Sequence, residues 1–129
     1  MDEQQRYDQG LALRRKVLGD GYVDGSIARR NAFNTEFQEL ITRYAWGEVW
    51  QRFGLDRRTR SLIVMTILIC LNREAELRLH LRASAGNGVT RDEVKELFLQ
   101  AMVYAGVPAA NSAFAVAAEV FAEMDAAGA

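Results

Sequence analysis

"LIVMTILICL", residues 62–71, is the longest apolar run in the chain, and its reading decides the fold. It is about half of the roughly 20 residues that a bilayer span needs, so it reads as a core helix. Asp56 looks like its cap, and the helix should run to about Leu71. Being apolar all round, it needs partners on every side. Cys70, within the run, then reads as a buried, inert small hydrophobe. As the single cysteine of the chain, it excludes an intramolecular disulfide and every CxxC redox or zinc motif.

Working outward, one proline in 129 residues and no alternating polar and apolar run leave little reason to place a strand anywhere. The expected fold is all α, a single domain over residues 1–129 with about six helices. Asp2 can cap a first helix carrying Tyr7, Leu11, Leu13, Val17 and Leu18, and Gly19 stops it. The stretch GDGYVDGS, residues 19–26 with three glycines, reads as a loop. From about Ile27 or Asn31 to Gln51, the residues Phe33, Phe37, Leu40, Ile41, Tyr44 and Val49 recur at helical spacing, and Gly54 ends the pattern.

After the apolar run, nothing decides whether Asn72 breaks the helix. A helix from about Glu74 to Ala85 ends in Gly86, Asn87 and Gly88, a turn with residues able to take positive φ. Thr90 and Glu93 form a T-x-x-E capping box ahead of Val94, Leu97, Phe98, Ala101, Met102 and Tyr104. Gly106 and Pro108 punctuate the end of that helix. An alanine-rich helix then runs to about Asp125, a composition that favours close helix approach. With the all-round apolar helix, it points to a homo-oligomer.

Sixteen basic and seventeen acidic residues leave a formal charge of −1, with no long block of like charge, so no nucleic-acid partner is expected. The amino terminus is polar and lacks the apolar core of a secretory signal, so the expected location is the cytoplasm, with no membrane partner.

The stretch NREAELRLHLRAS, residues 72–84, holds the only histidine. At 100° per residue, Arg73, Glu76, Leu77, His80 and Ser84 fall within roughly 100° of one another on a helix. Glu74, Arg78 and Arg82 fall on another side and read as a solvated, charge-paired stripe. A carboxylate four residues before an imidazole can hydrogen-bond it, select its tautomer and raise its pKa from about 6.5. Spacing alone admits two readings: a pair that moves a proton, or an ordinary surface contact. One histidine and one glutamate make a poor metal site, and no H-E-x-x-H, GxSxG, phosphate loop or Rossmann fingerprint occurs. Arg43 and Arg60 are candidates to grip a carboxylate bidentately. Trp46, an i, i+4 neighbour of Trp50, is either packing or a substrate wall. Asn111 is a further polar residue among apolar neighbours.

The stretches at 33–50 and 58–114, with the opening DEQQRYDQGLALRRKVLGD, closely resemble the carboxymuconolactone decarboxylase family over nearly the whole chain. The densest signature is Asn72, Arg73, Glu74, Glu76 and His80, followed by Asn87, Gly88, Val89 and the "PAAN" of Pro108 to Asn111. More distantly the family resembles AhpD-like reductases, which are all-helical and carry a CxxC followed four residues later by a histidine. Laid on His80, those cysteines would fall at Arg73 and Glu76, where this chain has no thiol, and Cys70 lies outside the motif.

The resemblance implies loss of CO2 from 4-carboxymuconolactone to give the 3-oxoadipate enol-lactone in protocatechuate breakdown, without cofactor or metal. The substrate is its own electron sink, because electrons released at the γ carbon pass through the ring double bond to the lactone carbonyl. It further implies His80 as proton donor, Glu76 as its orienting group and Arg73 as a carboxylate or oxyanion partner. Arg43, Trp46, Arg60 and Asn111 would bind the small lactone carboxylate, and the assembly would be a trimer or hexamer. The rival readings are a lactone hydrolase or isomerase, an AhpD-like redox protein and a non-catalytic assembly subunit.

Overall fold

The computed structural model describes residues 1–128 and is helical throughout, with no strand among them. It comprises seven α-helices, a π-helical stretch and one 3-10 turn. The chain divides into two compact units, Met1–Arg57 and the part from Arg58 onward.

In the N-terminal unit, α1 (Glu3–Leu18) starts at a reciprocal cap. Asp2 accepts from the Gln5 backbone N–H at 2.8 Å, and Gln5 Oε1 accepts from the Asp2 N–H at 3.0 Å. Gly19, at φ 93°, ends the helix, a conformation that a side chain would strain.

The expected loop at 19–26 is instead α2 (Asp20–Ala28). Glycine costs about 1 kcal/mol per helical position. Full burial of a valine returns about 1.5–3 kcal/mol. Val23 is fully buried and Ser26 nearly so, which decides for helix.

The next helix, α3 (Thr35–Ile41), starts later than the spacing suggests. Asn31 Oδ1 accepts from the N–H groups of Phe33 (2.9 Å) and Asn34 (3.0 Å), a local turn that competes with helix. The helix then widens into a π-helical stretch, Thr42–Val49. This stretch lies against α1 at two facing glycines, Gly10 and Gly47, both without room for a Cβ. Gln51 Nε2 braces the contact by donating to the carbonyls of Gln9 (3.0 Å) and Trp46 (3.1 Å).

The apolar stripe expected to seat this helix is mostly in solvent. Phe33 is 97% exposed, and Phe37, Leu40, Tyr44 and Val49 are exposed as well. The period was helical, but within the unit the buried face is Thr42, Trp46 and Gly47.

In the C-terminal unit, α4 (Arg57–Cys70) buries only the face of Ser61, Met65 and Ile69. Ile63, Ile67 and Leu71 are exposed, so the helix is not enclosed on every side. Cys70 is exposed too, which corrects its reading as a buried hydrophobe. Asn72 does end this helix, in the left-handed region at φ 57°. The N–H of Arg73 bonds the Leu68 carbonyl (2.9 Å) and that of Asn72 the Ile69 carbonyl (3.1 Å), a Schellman closure.

Next come α5 (Glu74–Ala83) and a single turn, Ala85–Asn87, closed by Gly88 at φ 83°. The capping box at Thr90 and Glu93 forms as the sequence indicates, opening α6 (Arg91–Ala105). After Gly106 at φ 99°, α7 (Val107–Ala126) carries Pro108 in its first turn, where a missing N–H is harmless.

The core joins Met65 and Ile69 to Leu77, Leu81, Val94, Phe98, Val116 and Val120. The small residues Ala110, Ala113 and Ala117 give α7 its buried face, so the alanines are used for packing within the chain. The stripe of Arg78 and Arg82 pairs across helices, with Glu119 and Glu123 of α7. Such exposed pairs fix register more than they stabilise, at about 0–1 kcal/mol each.

Candidate functional site

Helix α5 buries Leu77, His80 and Leu81, with Ser84 buried just beyond its end. This i, i+3, i+4, i+7 stripe would suit an all-leucine core face, yet it carries an imidazole and a hydroxyl. His80 is 9% exposed, and its Nδ1 is shielded from solvent with no hydrogen-bond partner. Burial alone pushes its pKa down, from 6.5 to about 4, so the ring is neutral near pH 7.

The proposed companions stand outside that stripe. Glu76 falls about 90° from its centre and is exposed. Arg73 is the N-cap of α5, with φ −96° and ψ 76°, so it leaves the helical face that continuous spacing would give it. It too is exposed. No hydrogen bond or ion pair joins Arg73, Glu76 and His80. The expectation that a Glu76 contact raises the histidine pKa is therefore corrected, because desolvation acts alone and in the opposite direction.

Besides His80 the unit holds other buried polar groups. Ser84 Oγ donates to the Leu81 carbonyl at 2.7 Å, and Asn87 Nδ2 to the Ala83 carbonyl at 3.1 Å. Ser61 on α4 is fully buried with its hydroxyl unpartnered. A cleft of about 350 Å³ is walled by Ser84, Val89, Phe121 and Met124 among others. The turn beside it is held by Arg58, whose Nε donates to the Gly88 carbonyl at 3.2 Å and whose guanidinium pairs with Glu93. Neither Ser61 nor Arg58 stands out in the sequence, since only the fold buries the one and brings the other to the turn.

Of the remaining candidates, Arg60 is half-buried on α4 and Asn111 is exposed on α7. Arg43 and Trp46 belong to the N-terminal unit. Arg43 already meets two carboxylates, Glu3 at 3.3 Å and Glu39 at 3.9 Å. Trp46 is 8% exposed and stacked on Trp50, with ring centres 4.8 Å apart, which is a packing role in that unit. Among the described residues no three histidine, cysteine, aspartate or glutamate side chains converge as a metal centre would need.

The neutral, buried histidine has a consequence for stability. Its folded pKa lies below its unfolded value, so the unfolded chain binds the extra proton first as pH falls below about 6.5. Stability should therefore be full above that pH and decline towards about pH 4, where the loss levels off at about 3 kcal/mol. Urea melts at pH 7 and pH 5 should show a loss of about 2 kcal/mol from this group in the parent. That loss should be absent in His80→Gln, and equal pH sensitivity of the two proteins would contradict the burial.

Residues 35–119 match the carboxymuconolactone decarboxylase family. The chain is 53% identical over 124 residues to a 4-carboxymuconolactone decarboxylase of Acinetobacter baylyi, covering 96% of this chain and 92% of the relative. It is 42% identical over 118 residues to the nitrosuccinic acid decarboxylase npaB of Metarhizium robertsii, covering 92% and 82% of the two chains. A 4-carboxymuconolactone decarboxylase of Pseudomonas putida is 58% identical over 48 residues, 37% of this chain and all of that sequence. A match that spans most of the helical scaffold, His80 with its buried stripe included, places this chain in the carboxymuconolactone decarboxylase family.

Proposed function

We propose that the protein is a carboxy-lyase that converts 4-carboxymuconolactone to the 3-oxoadipate enol-lactone in aromatic-compound catabolism, with residues 1–129 acting as one carboxymuconolactone decarboxylase domain of AhpD-like type. The observation that carries the reading is a buried, neutral imidazole with an unpartnered nitrogen, in a chain 53% identical to a decarboxylase of that name.

The substrates named for two relatives share a chemical core. In 4-carboxymuconolactone and in nitrosuccinic acid, the carbon that bears the departing carboxylate also bears a CH2–COO⁻ arm and an electron sink. The sink is an unsaturated lactone in one and a nitro group in the other. Electrons left by CO2 pass into that sink, so the protein has only to bind two carboxylates, stabilise one oxyanion and deliver one proton.

His80 is the proton donor in this scheme. The neutral ring is a poor acid, and the substrate itself corrects that. Raising its pKa from about 4 to about 7 takes about 4 kcal/mol. One carboxylate about 4 Å away contributes about that much at an effective dielectric near 20. The anionic substrate thus charges the group that protonates its product. CO2 leaves, the dienolate takes the proton at its α carbon, and the imidazole returns to neutrality. Apolar surroundings at Leu77 and Leu81 disfavour a buried carboxylate and favour neutral CO2.

Arg73 and Glu76 are unengaged by any other described side chain. Arg73 is assigned to a substrate carboxylate or the enolate oxygen, and Glu76 to orienting the imidazolium once it forms. Arg60 and Asn111 supply further polar contacts to the lactone, and Arg43 and Trp46 are weaker candidates because their present partners occupy them. The exposed stripes Phe33–Phe37–Leu40–Tyr44 and Ile63–Ile67–Leu71 support assembly of a homo-oligomer, with a trimer or hexamer as the size.

Between the two named substrates, 4-carboxymuconolactone should have the higher kcat/KM, given the greater identity to relatives of that name. The reverse order would assign the chain to nitro-acid chemistry instead. A thiol mechanism has no support in the exposed, solitary Cys70. Cys70→Ser should keep full turnover and change stability by less than about 0.5 kcal/mol, as for an ordinary surface position. Loss of turnover in the folded variant would restore the redox reading.

A further inference from the structure

In the C-terminal unit a cleft of about 240 Å³ is lined by residues of α6 and α7, and none of the residues assigned to the decarboxylation is among them. Its apolar walls are Val94, Phe98, Phe114, Ala117, Ala118 and Phe121. Phe98 is fully buried, and Phe114 stands edge-on to it, with ring centres 5.2 Å apart and planes at 90°. Phe114 still keeps 37% of its surface in solvent. The charged lining is Arg91 and Lys95, with no acid among the described residues. Arg91 is committed: its Nη1 and Nη2 donate to Asp125 at 3.1 and 2.8 Å, and its guanidinium lies over the Phe121 ring at 4.5 Å. Lys95 is not. Its Nζ is 3.8 Å from Asp92 Oδ1, longer than a hydrogen bond, and its side chain is exposed.

We propose that this cleft binds a small aromatic monocarboxylate, its ring against Phe98 and Phe114 and its carboxylate on the Lys95 ammonium. The size fits one ring, since pockets for drug-sized ligands run to about 300–1,000 Å³. The walls select a ring because a third aromatic group can extend the edge-to-face pair, a gain that a saturated ring of equal bulk does not have. The charge selects a monoanion. With Arg91 offset by Asp125, one cation remains for the ligand, and a second carboxylate would have to lie unpaired against apolar walls. The site is independent of the decarboxylation reading and stands or falls apart from it.

The test uses the full chain with labelled valine methyl groups and benzoate as the probe, at constant ionic strength. The Val94 methyl resonances, identified by their loss in Val94→Ile, should shift saturably with a dissociation constant of about a millimolar, as for a fragment of this size. Ala118→Leu fills the cleft from an exposed helical position, so it should abolish the shift and melt no lower than the parent. Lys95→Met keeps the apolar stem and should weaken benzoate about three- to tenfold, and Lys95→Arg should restore it. His80→Gln should bind as the parent does, which separates this site from the decarboxylation. Absence of a saturable shift, or an unchanged one in Ala118→Leu, would overturn the site, as would loss of the shift in His80→Gln. Cyclohexanecarboxylate binding as tightly as benzoate would overturn the aromatic assignment, and benzamide doing so would overturn the role of Lys95. Resonances that move with protein concentration alone would show a second copy seated in the cleft, and would equally overturn it.

Discussion

Replacing His80 by glutamine removes most turnover, by about 10²- to 10⁴-fold in kcat, while the protein stays folded at pH 7. The amide is close in size to the imidazole and can hydrogen-bond, but it cannot deliver a proton near neutral pH. At pH 7 the parent ring is already neutral, so the exchange replaces one uncharged polar side chain by another in the same buried stripe. Stability and activity therefore separate in this variant. Steady-state kinetics beside circular dichroism checks it. A folded variant with near-parental kcat would remove His80 from the chemistry and leave it as a buried core histidine. Glu76→Gln should lose less than His80→Gln, since it removes orientation while keeping the acid.

Gly10→Ala should cost the N-terminal unit about 3 kcal/mol or more. A Cβ there would lie against the carbonyl oxygen of Thr42, 2.8 Å from the backbone nitrogen of Gly47 and 3.0 Å from its Cα. All three are backbone atoms, so no rotamer change relieves the clash and the π-helical stretch has to move off α1. Gly21→Ala is the control. It lies within α2 with nothing inside 4 Å of the added methyl, so it should stabilise by up to about 1 kcal/mol. Urea melts followed by the fluorescence of Trp46 and Trp50, both in this unit, report the two changes. Equal stabilities of the two variants would contradict the close approach of α1 and the π-helical stretch.

What the sequence made legible was local chemistry. The Thr90–Glu93 box, the Asp2 cap and the stops at Gly19 and Gly106 each depend on a few adjacent residues, and each appears where those residues stand. The glycine-rich stretch after Gly19 reads as a loop yet is helical, because its helix rests on burying Val23 and Ser26, a tertiary effect that propensity does not contain. Periodicity at Phe33, Phe37, Leu40 and Tyr44 identified an apolar face correctly as a pattern. It carried no information on what covers that face, and the same holds for Ile63, Ile67 and Cys70 on α4.

At the candidate site, spacing singled out the histidine helix but could not set the sign of the histidine's pKa. An exposed Glu76–His80 pair would raise it, whereas the ring turned into the core beside Leu77 and Leu81 has it lowered to about 4. Arg73 left the predicted face for an equally physical reason. Asn72 takes the left-handed conformation, the preceding helix closes there, and α5 begins only at Glu74.

The most direct measurement is to incubate the purified protein with 4-carboxymuconolactone in deuterium oxide, collecting CO2 and recording the proton spectrum of the product. One CO2 should form per substrate consumed, with an enol-lactone carrying one deuterium at the α carbon and no change on adding a chelator. Consumption of the lactone by ring opening without CO2, or no consumption by folded protein, would contradict decarboxylation.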